Sequence, residues 1–295
     1  MLVESFLEYL QFERGYSVCT VTAYKTDLMK FREYYLSVER GLDWDTIDAD
    51  IVRCWMVDLM DQGYTPTSVN RKLSSLRSFY KFLMKRGRIK KDPLVKVQGP
   101  KRKRPLPVFV KEADMNRLLD ETDFGEGFLA CRDKMIIGLF YATGVRLAEL
   151  VGMNDSDVDF SVKRIKVTGK RNKQRIIPFG EELGESLQMY VSMRDETCPC
   201  PRLTDALFVN EKGMRISRAK VENLVKTYLS KVVSLKKRSP HVLRHSFATA
   251  MLNNQAELGV VKELLGHESL AATEIYTHTT FEELKKVYKL AHPRA

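Results

Sequence analysis

Cysteine is scarce: five residues among 295, namely Cys19, Cys54, Cys131, Cys198 and Cys200. An odd and scattered set excludes a disulfide framework and fits a reducing compartment. Cys198-Pro199-Cys200 is the one close pair. Without a second Cys or His pair nearby it reads as a loop rather than a zinc site. Also missing is any apolar run long enough to cross a bilayer, so no membrane partner is expected. The opening MLVESFLEYLQFERG mixes apolar and charged residues on a helical period and is not a signal peptide. A cytoplasmic location is the expectation. There is no internal repeat and no low-complexity tract. A hydrophobic content of 44% is too high for a disordered chain. The length suffices for two domains of ordinary size.

Acidic residues are nearly absent from one stretch. Residues 85–104, KRGRIKKDPLVKVQGPKRKR, hold ten Lys or Arg against Asp92 alone, a net charge of +9. The whole chain carries +11, so the other 275 residues together contribute only +2. A solvated charged surface mixes its signs, whereas charge concentrated in one strip calls for a polyanionic partner, nucleic acid first. Lys101, Arg102, Lys103 and Arg104 are the candidate DNA-binding residues here, with Lys173 further along.

Apolar spacing predicts four helices in the first hundred residues. They run over Leu2 to Arg14, from Ser17 or Thr20 to Tyr35, from Asp48 to Met60, and from Thr65-Pro66 to Met84. Phe6, Leu7, Leu10 and Phe12 form the apolar side of the first. Thr65 followed by Pro66 supplies an N-cap and a proline at N1 for the fourth. Pro105-Leu106-Pro107 favours an extended linker, which sets the expected division as 1–99, a basic linker 100–108, and 109–295. The second domain reads as mostly helical. Its interruption is Ser161 to Pro178, where Val162, Ile165 and Val167, then Ile176 and Ile177, flank a Gly/Asn turn and predict a β-hairpin.

Four segments of this domain carry chemistry. In Ala142-Thr143-Gly144-Val145-Arg146, Gly144 ends one helix and Arg146 falls in the first turn of the next. There its charge opposes the helix dipole unless it holds an anion. Ser239-Pro240 starts a helix that sets His241 and Arg244 three residues apart at its N-terminal end. A guanidinium and an imidazole there offer oxyanion binding and proton transfer. His245 is equally readable as a structural histidine. Gly266-His267 is followed by Tyr276, and Lys170 sits at the hairpin turn. Alone, Tyr276 reads as a packed tyrosine and Lys170 as a solvated loop residue.

The order Arg146, Lys170, His241, Arg244, His267, Tyr276 resembles the catalytic pattern of the tyrosine recombinase (phage integrase) family. ATGVRLAEL, VTGKRNKQRIIP, SPHVLRHSFAT and LLGHESLAATEIYTH look like blocks of its Xer (XerC/XerD-like) branch, as does the terminal HPRA. ERGYSVCTVTAYKTDL and SVNRKLSSLRSFYKFL look like that branch's helical DNA-binding domain.

The resemblance implies a mainly α fold with a small β-hairpin or sheet in the catalytic domain. It implies a two-domain, C-shaped clamp, with a four-helix SAM-like domain first and an exchange helix at about 280–290. It implies a Tyr276 nucleophile forming a 3′-phosphotyrosyl link, Arg146 and Arg244 on the phosphate, and Lys170 as proton donor to the leaving 5′-oxygen. His241 is then the general acid/base, His267 a supporting donor, and Glu149 an orienting group. No cofactor, ATP or metal is expected. The expected partners are duplex DNA with a palindromic core site, a homo- or hetero-tetramer, a paralogous Xer recombinase and a septal DNA translocase. A start at Met1–Glu4 without an extra arm-binding domain leans toward chromosome-dimer resolution at a dif-like site. An integrase of a phage or mobile element, a non-catalytic DNA-binding protein on this scaffold, and a type IB topoisomerase are the alternatives.

Replacing Lys101, Arg102, Lys103 and Arg104 with alanine should weaken duplex binding across sequences and flatten the dependence of log affinity on log salt by about 3 to 4 units. Titrations at several salt concentrations test this, and an unchanged slope contradicts it.

Overall fold

The protein is described here from a computed structural model covering residues 2–102, 108–169, 172–198, 204–266 and 281–295. The chain divides into two compact units, Met1–Pro105 and Leu106–Ala295. Among the described residues, no helix is long and apolar enough to cross a membrane.

The first unit is helical. Helix α1 (Leu2–Glu8) runs into a π-helical turn, Tyr9–Glu13. It is followed by α2 (Val18–Val38), α3 (Ala49–Asp61) and α4 (Pro66–Lys85). Each of the last three starts on a side-chain cap. Ser17 accepts from the Thr20 N–H, Asp48 from those of Asp50 and Ile51, and Thr65 from that of Ser68, with Pro66 just inside. Phe6, Phe31, Trp55, Leu73, Leu76 and Phe79 fill the core.

Phe12 departs from the expected apolar side and is 75% exposed. The π turn places more residues in one turn than an α-helix does, which carries Phe12 off the stripe of Phe6 and Leu10. Part of the basic strip is packed rather than free. Leu94 and Val97 are buried, Arg77 donates to the Val97 carbonyl at 2.7 Å, and Asn70 donates to that of Pro100 at 2.8 Å.

One polar cluster lies inside this unit. Asp27 on α2 is fully buried and accepts from Arg71, Lys72 and Ser75 on α4, at 2.6 to 2.9 Å.

The second unit begins with α5 (Glu112–Asn116) and a π turn, then α6 (Gly127–Thr143) and α7 (Leu147–Gly152). Helix α6 is apolar almost all round and lies at the centre, packed by α8 (Glu181–Thr197) and α10 (Pro240–Asn253). Strands β1 (Val158–Asp159), β2 (Arg164–Thr168) and β3 (Gln174–Pro178) form an antiparallel sheet in that order. The hairpin is present with a third, two-residue strand added. Val162 falls in the β1–β2 turn and is exposed, as is Ile176. Ile165 faces Ile177 and Val167 faces Arg175 on the inward side.

Helices α9 (Arg218–Val232), α11 (Leu258–Leu265) and α12 (Phe281–Ala291) complete the unit. Leu284, Tyr288 and Ala291 bury one side of α12 against β3, α10 and α11 of its own chain. His292 stacks on Tyr288, and Arg294 pairs with Asp120 and Glu182. Burial pushes the His292 imidazole down to about 4, so it is neutral at physiological pH.

Asp27→Ala should cost about 3 to 5 kcal/mol, because it leaves Lys72 buried without its carboxylate. Denaturant unfolding followed by helical circular dichroism measures this. A loss below about 1 kcal/mol would mean that the cluster relaxes to water.

Candidate active site

Two helix ends build the site. Helix α6 stops at Gly144, whose φ of +59° is left-handed. A Cβ there would lie 2.5 Å from Phe247 and 2.8 Å from Leu265, so glycine is required twice over. Helix α11 stops at Gly266, also left-handed, with φ of +62°. Both ends leave carbonyls without helical partners. Arginines fill them.

Arg146 is the N-cap of α7, one position ahead of the expected first turn. Its backbone N–H donates to Glu149 Oε2 at 2.7 Å, its Nη1 to Glu149 Oε1 at 2.7 Å, and its Nη2 to the Gly266 carbonyl at 2.9 Å. The carboxylate at N3 therefore offsets the unfavourable placement of a cation at a helix start. Arg244, one turn into α10, donates to the carbonyls of Gly144 at 2.5 Å and Leu265 at 2.6 Å.

A third arginine joins them that the sequence reading did not single out. Arg175 on β3 forks onto Glu149, with both N···O distances at 2.9 Å, and its Nε donates to the Leu264 carbonyl at 2.7 Å. The signal for it was present. Alternation along β3 sets Arg175 on the same face as the buried Ile177, where a charge needs a partner. Three consecutive carbonyls, Leu264, Leu265 and Gly266, thus each accept from a different arginine.

The charges do not cancel. Burial acts to raise the Glu149 pKa, but the hydrogen bonds and charge of Arg175 and Arg146 overcome it and hold the carboxyl at about 2. One carboxylate then faces three guanidiniums. Burial, followed by repulsion from Arg146 and Arg175, lowers Arg244 to about 10, so it stays protonated at neutral pH. His241 lies one turn before Arg244. Partial desolvation, then Lys237, Arg244, His245 and Arg146, lower its pKa and keep it neutral near pH 7. An excess of positive charge at the N-terminal end of α10 is a site for a doubly liganded anion such as a phosphodiester.

The structure therefore brings together Arg146, Glu149, Arg244 and His241. Lys101, Arg102 and Lys173 are exposed. Lys170, His267, Tyr276, Lys103 and Arg104 lie outside the described residues, as does the Pro199-Cys200 part of the cysteine pair. Gly169, just before Lys170, sits beside the cluster: a Cβ there would lie 3.3 Å from Glu149 Oε1. Among the described residues, no group of His, Cys, Asp and Glu is arranged to hold a metal.

Comparison with known proteins decides the family. Residues 109–283 match the Phage integrase family, and residues 3–87 match the family described as Phage integrase, N-terminal SAM-like domain. A tyrosine recombinase XerC of Chlorobaculum tepidum is 39% identical over 98% of this chain and 94% of its own length. This chain belongs to the phage integrase family of tyrosine recombinases. These enzymes cleave and rejoin DNA through a tyrosine nucleophile. A tyrosine recombinase XerD of Oceanobacillus iheyensis is 36% identical over 99% of this recombinase and 98% of the relative. Solved structures share the fold. A Tn1549 transposon integrase in complex with circular intermediate DNA has a TM-score of 0.72 at 19% identity, covering 97% of this chain and 98% of that one. A XerH recombinase bound to a palindromic difH substrate has a TM-score of 0.71 at 21% identity, covering 98% and 84%.

The low pKa of Glu149 makes a prediction about stability. A carboxyl depressed in the folded state stabilises above its unfolded value, near 4.5, and loses that contribution as pH falls toward about 2. The difference in unfolding free energy between the recombinase and Glu149→Gln should therefore shrink by roughly 3 kcal/mol between pH 5 and pH 2. Denaturant midpoints across that window test it, and a constant difference contradicts it.

Proposed function

We propose that this recombinase acts as a Xer enzyme, resolving chromosome dimers at a dif-like palindromic site, with Tyr276 as the nucleophile. The observation that carries the chemistry is the surplus of two positive charges where Arg146, Arg175 and Arg244 surround Glu149. Near-full-length likeness to proteins named XerC and XerD supports the Xer role, and the XerH–difH complex supplies the kind of site.

In this reading Arg146 and Arg244 hold the non-bridging oxygens of the scissile phosphate and stabilise the added charge of the transition state. Their backbone bonds keep each fork in place before DNA arrives. Tyrosine ionises near pH 10, so attack at neutral pH requires a base. His241, held neutral by its desolvation and the cations around it, takes the proton. The Tyr276 oxygen bonds to phosphorus, the bond to the 5′-oxygen breaks, and Lys170 at the hairpin turn protonates that oxygen. His267 adds a hydrogen bond to the phosphate. The phosphotyrosyl bond conserves the energy of the broken phosphodiester, so rejoining by a 5′-hydroxyl requires no ATP.

Lys101 to Arg104 and Lys173 contact the DNA backbone, and the domains divide at about residues 100–108. Four protomers assemble on paired sites in the cytoplasm, a paralogous recombinase and a septal translocase being the candidate partners. Helix α12, closed on its own unit here, is the element that would couple neighbours.

Incubation with a nicked suicide duplex bearing a dif-like palindrome should trap a covalent adduct, in EDTA as well as in Mg²⁺. Tyr276→Phe should form none, and Arg244→Lys should slow trapping by about 10² to 10³-fold. An adduct surviving in Tyr276→Phe, or one lost in EDTA, would sink the mechanism. Equal trapping on unrelated duplexes would sink the dif-like site.

A further inference from the structure

Arg175 has no part in the chemistry just described, yet its side chain is only 12% exposed and all its visible bonds run into the site. Arg146 and Arg175 divide the Glu149 carboxylate between them. Oxygen Oε1 accepts from Nη1 of both arginines, while Oε2 accepts from the Arg146 backbone N–H and from Arg175 Nη2. Arg146 is thereby left with one side-chain bond to the carboxylate and one to the Gly266 carbonyl. A guanidinium has five N–H donors, so among the described residues these two bonds do not use all of them.

Arg175 also bonds the Leu264 carbonyl, two residues before Gly266, and fits closely beneath it: a Cβ on Gly266 would meet Arg175 Cδ at 3.1 Å. One side chain therefore ties three elements together: the hairpin whose turn carries Lys170, the carboxylate that holds Arg146, and the end of α11.

We propose that Arg175 is a positioning residue for strand cleavage, setting Arg146 through their shared Glu149 while locking the hairpin to the end of α11. This rests on the reading of Arg146 and Lys170 as catalytic. Two physical consequences follow from its loss. Among the described residues Glu149 would keep Arg146 as its only bonded cation, and the guanidinium would be drawn into a two-pronged pair with the carboxylate and away from the phosphate. Glu149 would also lose the strongest opposition to its burial, so its pKa would rise. Among the described residues, the charged groups facing Glu149 are Arg146 at the start of its own helix, Arg175 from β3 and Arg244 from α10.

The test is single-turnover cleavage of the nicked suicide duplex by the full chain between pH 5.5 and 8. It compares wild type with Arg175→Gln, Arg175→Lys and the Arg175→Gln/Glu149→Gln double variant. Duplex affinity and thermal midpoint are measured on the same samples. Arg175→Gln should cleave about 10-fold or more slowly at pH 8 with duplex affinity within about 2-fold. Its rate relative to wild type should recover as pH drops toward 5.5, because protonation of Glu149 releases Arg146 from that pair. Any change in the titration of His241, which Arg146 influences, is shared by the double variant, so the comparison of the two variants isolates Glu149. The double variant should show a ratio that does not change with pH. Arg175→Lys, which keeps the charge and loses the fork, should be slow with an unchanging ratio, and it serves if the Gln variant does not fold.

An Arg175→Gln rate equal to wild type, or lowered by the same factor at every pH, overturns the proposal. So does an Arg175→Lys variant as fast as wild type. If wild type forms no adduct, or Arg146→Ala forms it undiminished, the catalytic reading itself fails, and that failure is recognisable without any Arg175 variant.

Discussion

The Glu149 carboxylate carries one negative charge among three guanidiniums, and the geometry of the site depends on how that charge is shared. Buried alone, a carboxylate would take up a proton. Here it is held ionised because the Arg175 fork, one side-chain N–H of Arg146 and the Arg146 backbone N–H bond its oxygens. In exchange it fixes Arg146 at a helix start, where the dipole would otherwise repel a cation. Among the described residues Arg244 bonds no carboxylate and donates to two carbonyls instead, with Glu149 acting on it only at a distance. The result is a site with surplus positive charge, which an anion would offset.

The same arrangement explains why the helices end where they do. Left-handed glycines at 144 and 266 stop α6 and α11 so that their last carbonyls point at arginines instead of continuing a helix. Each glycine is also hemmed in, by Phe247 and Leu265 in one case and by Arg175 in the other. Chain termination, core packing and arginine placement are therefore one constraint. A change at either glycine would disturb all three.

Much of the molecule was legible in advance. Capping residues Ser17, Asp48 and Thr65 stand at the helix starts they predict, because a short polar side chain can satisfy free N–H groups locally. Arg146, Glu149, His241 and Arg244, singled out from the motifs, lie together in the structure. Phe12 did not follow its stripe, since a π turn changes the angular step without leaving a mark in the apolar pattern. The two-residue strand β1 is too short to register as an alternation.

What the amino-acid order determined by itself is therefore local: helix starts and stops, the inward face of the hairpin, the concentration of charge in residues 85–104, and the set of reactive side chains. These follow from interactions within a few residues. The tertiary structure alone decided the role of Arg175, which meets Glu149 across 26 residues and Leu264 across 89. It also decided that Arg146 and Arg244 bond backbone carbonyls 21 to 120 residues away. A carbonyl is the same in every residue, so no pattern in the sequence can announce which ones will be left free to hold an arginine until the helices that expose them have packed.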